Sequence, residues 1–370
     1  MAIFLFIALL LSLAYFVFIG WLIPALKKIK RWESSFSPEV SVVIPFRNEK
    51  EHLSTLLTAL SQQLYPLTKM EVVLINDHSE DESVAIIEDF QKRFGDLNVQ
   101  LLHLDQSTGK KAALMKGVQN TRFDLILQTD ADCVPARDWV QKAVMPFENS
   151  QVLASCGTVK MKGSRTLQKL YCLEFLSLQA SGAALIQRGL PVMSNGANLA
   201  YRKGSWLKYH PGKEAWASGD DVFFVQKLAL ENRQQVVLNL PAMVVTTAPE
   251  RFRDFIFQRV RWGGKTPSYP MKAAQRIAYL VAAENSILVL CFMAGLFISL
   301  DFIWIFVALL GFKSAPEYLL TKRYARQTGQ VHLLRGFLLI ALLYPFYIVG
   351  SGILILFGKN FRWKGRPLHP

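Results

Sequence analysis

The chain has few cysteines and no pattern among them. Cys133, Cys156, Cys172 and Cys291 stand at unrelated spacings, with no CxxC and no paired histidines. That excludes a disulfide framework and a zinc site of ordinary ligand spacing. The reading left is four small core residues, with Cys133, Cys156 and Cys172 suited to a reducing cytosol. Charge is scarce too: 19% of the 370 residues are charged, against 51% hydrophobic. Residues 2–26 carry no charge at all, a run long enough to cross a hydrocarbon core of roughly 30 Å. Residues 1–6 lack the basic segment of a cleaved leader, and no small-x-small site precedes Lys27-Lys28-Ile29-Lys30-Arg31. A basic cluster directly after an apolar run predicts a signal anchor with its N-terminus outside.

Two more apolar stretches cover residues 277–312 and 336–357, whereas residues 37–270 read as an ordinary soluble domain. The expected organisation is an anchor at 1–26, a cytosolic domain at 38–270, a membrane hairpin or single long span at 277–312, a basic loop at 313–335, a span at 336–357 and a basic tail at 358–370. At 36 residues, the middle stretch is long for one span and suits a hairpin turning near Ser299-Leu300-Asp301, its second arm short and partly re-entrant. A hairpin keeps the basic loop cytosolic and puts the tail outside, against the positive-inside tendency; a single tilted span puts the loop outside.

The net charge of +14 raises a nucleic-acid reading, so its location decides. Lys27, Lys28, Lys30 and Arg31 supply +4; the nine basic residues from Lys313 to Arg366, less Glu317, supply +8. All of this flanks apolar segments, and the middle domain is close to neutral. Nucleic-acid binders carry their charge as a stripe on the folded domain. The excess here fits anionic lipid headgroups, and nucleic acid is excluded as the partner.

Within the soluble domain, Val40-Ser41-Val42-Val43-Ile44-Pro45 is a buried strand feeding a turn. Leu53, Leu56, Leu57 and Leu60 recur at helical spacing. Strands follow at 71–76, 99–104 and 125–128, with helices at 83–94 and 110–117 between them. Continuous apolar strands alternating with helices predict a parallel sheet covered by helices, an α/β fold. Beyond residue 151 the order loosens: a helix over 167–186, then Ser194-Asn195-Gly196-Ala197-Asn198 turning into a strand, then Asp220-Asp221 before an apolar helix at 222–230. In such sheets ligands bind at the carboxyl ends of the strands. Asn48 and Glu49, Asp77, and Asp130 with Asp132 all fall there. Alone, each reads first as a cap or turn residue, Asp81 above all; three strand ends offering carboxylates to one rim is more than a fold requires.

Asp130 and Asp132, two apart beyond a strand, can hold Mg²⁺ or Mn²⁺ together with the phosphates of a nucleotide donor. Asp220-Asp221 offers a general base beside such a site, or simply a helix N-cap pair favoured by the dipole. Gln258-Arg259-Val260-Arg261-Trp262 supplies a cation for a leaving diphosphate and an aromatic face for a sugar or acceptor. It also reads as an interfacial amphipathic helix.

The ordered set Asp77, Asp130-Ala131-Asp132, Gly219-Asp220-Asp221 and Gln258-x-x-Arg261-Trp262 resembles the D, DxD, (E/G)DD, QxxRW signature of inverting family 2 glycosyltransferases. The resemblance covers residues 38–270 and includes poly-N-acetylglucosamine synthase and ceramide glucosyltransferase types. It implies a GT-A, Rossmann-like domain held by transmembrane helices. It also implies that Pro45, Glu49 and Asp77 contact the nucleoside, with Lys110 of Gly109-Lys110-Lys111-Ala112-Ala113-Leu114 near the nucleotide. Asp130 approaches the donor and Asp132 the metal, Asp221 acts as base, and Arg261 binds diphosphate. Trp262, supported by Gln258, lines the acceptor site together with Gly196 and Asn198. Gly219-Asp220 stands where many polymer synthases have Thr-Glu, which leaves the base open between Asp220 and Asp221.

The resulting expectation is a multi-pass enzyme of a cell membrane, of the bacterial inner-membrane kind, moving a sugar from a nucleotide donor, UDP-linked by preference, to a lipid or lipid-linked acceptor. A processive polysaccharide synthase is the alternative, disfavoured by so few spans for an export channel. A non-catalytic sugar-binding scaffold is the third reading, and the intact acidic motifs oppose it. Donor sugar, linkage and oligomeric state are not legible in the sequence.

Overall fold

The computed structural model describes residues 2–27, 29–30, 32–210, 219–357, 362–363 and 366–367. Lys28, Arg31, Lys359 and Lys364 of the expected basic clusters lie outside the described residues. The chain runs α1 (Ala2–Leu22), β1 (Val40–Phe46), α2 (Lys50–Ser61), β2 (Met70–Asn76), α3 (Ser83–Arg93), β3 (Asn98–His103), α4 (Lys110–Asn120), β4 (Leu125–Gln128), β5 (Val134–Pro135) and α5 (Trp139–Val144). It continues through β6 (Ala154–Lys162), α6 (Thr166–Gln187), β7 (Leu199–Arg202), α7 (Lys203–Tyr209), α8 (Asp220–Glu231), β8 (Val236–Thr247), α9 (Phe252–Gly263), α10 (Lys272–Phe297), α11 (Asp301–Thr328) and α12 (Phe337–Phe357). These elements form two compact units, one of Lys30–Lys162 with Gly189–Thr247, the other of Met1–Ile29, Gly163–Arg188 and Ala248–His369.

The first unit is built on one eight-stranded sheet in the order β3-β2-β1-β4-β7-β6-β8-β5. β3, β2, β1 and β4 are parallel; β1, β2 and β4 are buried throughout, as continuous Val, Ile and Leu runs predict, and β3 is a half-exposed edge. The sheet as a whole is mixed: beyond these four expected parallel strands, β7 runs antiparallel to β4 and to β6. β6 and β8, where the sequence pattern loosens, pair in parallel with an irregularity between Gly157 and Thr158. Pro241 lies in the extra segment of β8 there, where a missing N–H costs no ladder bond. The helices cover the sheet with the predicted stripes, Leu53, Leu56, Leu57 and Leu60 on α2 all being buried.

The second unit collects the long apolar helices. Among the described residues, four segments are long and apolar enough to cross a membrane: Ile3–Lys27, Lys272–Phe297, Asp301–Thr328 and Val331–Phe357. α6 and α9, from inside the 38–270 stretch, cluster with them. A buried seam of Ala8, Ile287, Leu288, Cys291, Phe306 and Leu309 packs α1, α10 and α11 together. The α1 end is closed by side chains: Arg188 Nη2 donates to the Trp21 carbonyl, Arg323 Nη1 to Ile23 (2.9 Å) and Gln327 Nε2 to Leu26 (2.7 Å). Cations and amides thereby satisfy carbonyls that a helix terminus leaves bare. The basic segment expected as a loop from 313 is helical through Thr328, and α11 is a full-length arm rather than a short re-entrant one. Within it Lys313 Nζ lies 2.8 Å from Glu317 four residues on, and Pro316 is accommodated inside the helix.

Candidate active site

Parallel strands deliver their carboxyl ends to one edge of the sheet, and the acidic residues follow from that register. Phe46 pairs with Asn76 at the ends of β1 and β2, so Asn48, Glu49 and Asp77 emerge side by side. β4 ends at Gln128 and leads directly to Asp130 and Asp132. Because β7 is antiparallel, with Leu199 opposite Gln128, its starting end and the preceding Gly196 lie at the same edge. The reversal that the sequence pattern did not show is thus what brings the Gly196 segment to the site.

Two helices begin here, each on a glycine in the left-handed region. Gly109 (φ +98°) precedes α4 and Lys110; Gly219 (φ +100°) precedes α8 and Asp220-Asp221. A side chain at either position would strain the turn that aims the next residue at the site. Gly109 N–H donates to Asp77 Oδ2 at 3.0 Å, tying β2 to the start of α4. Asp77 Oδ1 also meets His78 Nδ1 (3.2 Å), and His78, itself at φ +57°, reaches the Asp105 carbonyl through Nε2 (2.9 Å). Asp81 serves as the expected cap, accepting from Ser83 N–H at 3.1 Å and Lys50 N–H at 3.2 Å.

Lys110 is the electrostatic centre. Its Nζ lies 2.5 Å from Asp130 Oδ1. Burial opposes the ammonium, but Asp130 first, then Asp220 and Asp221, overcome it and hold the Lys110 pKa well above its ordinary range. Asp220 is 2% exposed and takes Gln128 Nε2 at 3.3 Å; Gln128 in turn accepts from the Tyr201 hydroxyl at 3.1 Å. Asp221 is partly exposed and accepts the Gly196 N–H at 2.7 Å. The two neighbours left open by the sequence are therefore unequal: Asp220 is locked inside, and Asp221 faces the edge.

Asp132 is exposed to solvent. Surrounding protein, then the carboxylates of Asp130 and Glu49, push its pKa upward, an effect that its contact with water keeps modest. Crowded carboxylate oxygens are what a hard divalent cation relieves. Among the described residues no three His, Cys, Asp or Glu side chains converge on one point. Cys133, beneath Asp130 and Asp132, and Cys156 are buried free thiols; burial and then Asp221 push Cys156 up to about 12, so it is inert.

Asn198 has a structural task. Its Nδ2 donates to the Thr158 and Ala242 carbonyls (2.8 and 2.9 Å) and its Oδ1 accepts from Trp139 Nε1 (2.9 Å), which stitches the β6–β8 irregularity closed. Both its amide hydrogens are taken by these carbonyls, and it is 4% exposed. Pro45 is buried in β1. Gln258, Arg261 and Trp262 belong to the second unit, on α9. There Gln258 Oε1 accepts from Arg259 Nη1 at 2.7 Å, and the Arg259 guanidinium sits 4.3 Å over the Trp262 ring. Gln128, Tyr201 and His78 had no task assigned from the sequence, and Arg259 stood there only as part of the cationic Gln258–Trp262 segment. Gln128 left a signal, a polar end on an apolar strand two residues before Asp130.

The pattern of glycosyl transferase family 2 matches residues 41–205, and that of glycosyl transferase family group 2 matches residues 125–353, more than half of the chain. The chain belongs to glycosyl transferase family group 2. An N-acetylglucosaminyltransferase of Neorhizobium galegae is 26% identical to this glycosyltransferase over 62% of this chain and 55% of its own length. An undecaprenyl-phosphate 4-deoxy-4-formamido-L-arabinose transferase of Pseudomonas fluorescens is 38% identical over 25% of this chain and 27% of its own. The chain spans about half or less of the length of the curated relatives it matches. Among solved structures, a mannosyltransferase from Pyrobaculum calidifontis in complex with GDP-Man and Mn²⁺ superposes with a TM-score of 0.67 at 20% identity, covering 96% of this chain and all of that one. The sheet is that of a GT-A glycosyltransferase.

Gly196 offers a direct test of the site's packing. A Cβ there would lie 2.8 Å from Gln128 Nε2, 3.4 Å from Lys110 Nζ and 3.5 Å from Asp221 Cβ. Gly196→Ala is expected to lower the transfer rate by roughly tenfold or more by displacing Gln128, the hydrogen-bond partner of Asp220. Initial rates, set beside an unchanged yield of folded protein, check it.

Proposed function

We propose that this glycosyltransferase moves a sugar from a nucleotide donor to a lipid or lipid-linked acceptor at a membrane face, inverting the anomeric centre. The observation that carries the reading is Lys110 gathered with Asp130, Asp220 and Asp221 at one sheet edge, Asp132 beside them. In this reading Glu49, Asp77 and the Pro45 backbone hold the nucleoside. Lys110 approaches the donor diphosphate once Asp130 releases it to phosphate. A divalent ion on Asp132 and Asp130 neutralises the leaving diphosphate. Asp221 accepts the acceptor hydroxyl proton as that oxygen attacks the anomeric carbon. On α9, Arg261 binds diphosphate, while Trp262 and Gln258 face the acceptor.

The membrane part of the proposal rests on the four long apolar helices. Arg323 and Gln327 near the end of α11 bond carbonyls at the end of α1, so those ends share a side. With α1 entering from outside, α10 and α11 form a hairpin, and Lys322, Arg323, Arg326 and Arg335 stay cytosolic. The Pseudomonas fluorescens relative, named for an undecaprenyl-phosphate substrate, supports a lipid acceptor.

The test is release of nucleoside diphosphate from UDP-glucose, UDP-N-acetylglucosamine and GDP-mannose by full-length protein in native lipid. We expect turnover of at least one donor, suppressed by EDTA and restored by Mn²⁺ or Mg²⁺. Binding of the donors without turnover, with or without added lipid extract, sinks the proposal.

A further inference from the structure

Within the second unit, one buried ion pair is aimed entirely at the Gln258-x-x-Arg261-Trp262 segment. Arg259 and Glu174 are 4% and 1% exposed at their side chains. Arg259 Nε lies 3.0 Å from both Glu174 carboxylate oxygens, and Nη2 bonds the same carboxylate. The Tyr347 hydroxyl, from α12, donates to Glu174 Oε1 at 3.3 Å. The one guanidinium nitrogen left, Nη1, donates to Gln258 Oε1 at 2.7 Å. The plane of the guanidinium lies 4.3 Å from the Trp262 ring centre and 4.6 Å from that of Phe255. Adjacent residues on a helix do not face each other. Gln258 must therefore fold back to meet Arg259, and the bond fixes its rotamer.

We propose that Glu174 and Arg259 are positioning residues for the acceptor side of the reaction. Glu174, anchored on α6 and held by Tyr347, fixes the Arg259 fork; Arg259 then sets the amide of Gln258 and the indole plane of Trp262. Neither touches substrate. The fork is the relevant feature, because a guanidinium can serve a carboxylate with one edge, an amide with another nitrogen and a ring with its face at once. A lysine has a point charge and can do only the first. This inference rests on the acceptor role given above to Gln258 and Trp262.

The experiment compares Glu174→Gln, Glu174→Asp, Arg259→Lys, Gln258→Ala and Trp262→Ala in the full chain in native lipid. For the donor that wild type turns over, two rates are read: transfer to a lipid extract, and donor hydrolysis to water without acceptor. Thermal stability is followed alongside. We expect Glu174→Gln and Arg259→Lys to lose roughly 10- to 100-fold in transfer, through the acceptor KM, with hydrolysis within about twofold of wild type. Glu174→Asp should recover part of the loss. A purely structural role would lower both rates together, in step with stability, and that result overturns the inference. Wild-type transfer in Glu174→Gln overturns it as well. Should Gln258→Ala and Trp262→Ala leave transfer intact, the acceptor role itself fails and takes the positioning claim with it. Sensitive Gln258 and Trp262 variants beside an insensitive Glu174→Gln sink the positioning claim alone.

Discussion

Asp221→Asn is expected to abolish most sugar transfer, by about 10²–10⁴-fold in kcat, the range that a positioned proton acceptor supplies. Asparagine is nearly isosteric, and its side-chain oxygen can still accept the Gly196 N–H that Asp221 holds at 2.7 Å. What it cannot do is take a proton. Donor binding should survive, because Glu49, Asp77 and Lys110 are untouched; isothermal titration with UDP or GDP measures that separately from the rate. Asp220→Asn is the comparison. Asp220 is 2% exposed and bonded to Gln128, so its loss should act through the site's electrostatics and cost less. Full activity in Asp221→Asn, or a larger loss from Asp220→Asn, would move the base to the inner carboxylate.

How much of this was legible in the sequence depended on whether a contact is local. The four β-α repeats of the first half follow from unbroken apolar runs, and the acidic residues fall at strand ends for the same reason. β8 was missed because Pro241 and Asn239 interrupt its pattern, although Val244-Val245-Thr246-Thr247 is a plain β-branched run. β6 was missed because Lys160 and Lys162 punctuate a strand otherwise mostly buried. A sheet irregularity explains both: it needs an outside group to satisfy its carbonyls, and Asn198 supplies that from 40 and 44 residues away. The same holds for Gln128 with Asp220 and for Arg259 with Glu174, whose partners stand 92 and 85 positions off. No periodicity encodes such pairs. Their residue types were visible and their tasks were not.

The helical bundle shows the converse error, where charges hid structure. Lys313, Pro316 and Glu317 read as the start of a loop, yet they lie inside α11. Lys313 is fully buried, its ammonium 2.8 and 2.9 Å from the Glu317 oxygens, with the rings of Tyr15 and Tyr344 at 5.6 and 5.0 Å. Tyr15 on α1 donates its hydroxyl to the same Glu317 carboxylate. Less than one turn along α1 from Tyr15, Ser12 donates to Glu284 of α10, both oxygens at 3.0 Å. Buried polar groups between apolar helices hold them in one register, because any slip strands a charge without its partner.

Lys313→Met should therefore destabilise the bundle by about 3–5 kcal/mol, the cost of stranding one member of a buried pair. The methionine fills most of the lysine's volume, so the loss is not chiefly a cavity. It is the Glu317 carboxylate, left with the Tyr15 hydroxyl and no cation. Replacing both partners, Lys313→Met with Glu317→Leu, should recover most of that loss, since apolar side chains of similar size remove the desolvation cost along with the attraction. Unfolding by SDS titration in mixed micelles, read by near-ultraviolet circular dichroism, gives the three stabilities on one scale. The order expected is wild type, then the double variant close behind, then Lys313→Met well below both. A single variant as stable as wild type would mean that Glu317 finds water or sheds its charge by taking up a proton, and the pair would then have no part in holding α1 against α11.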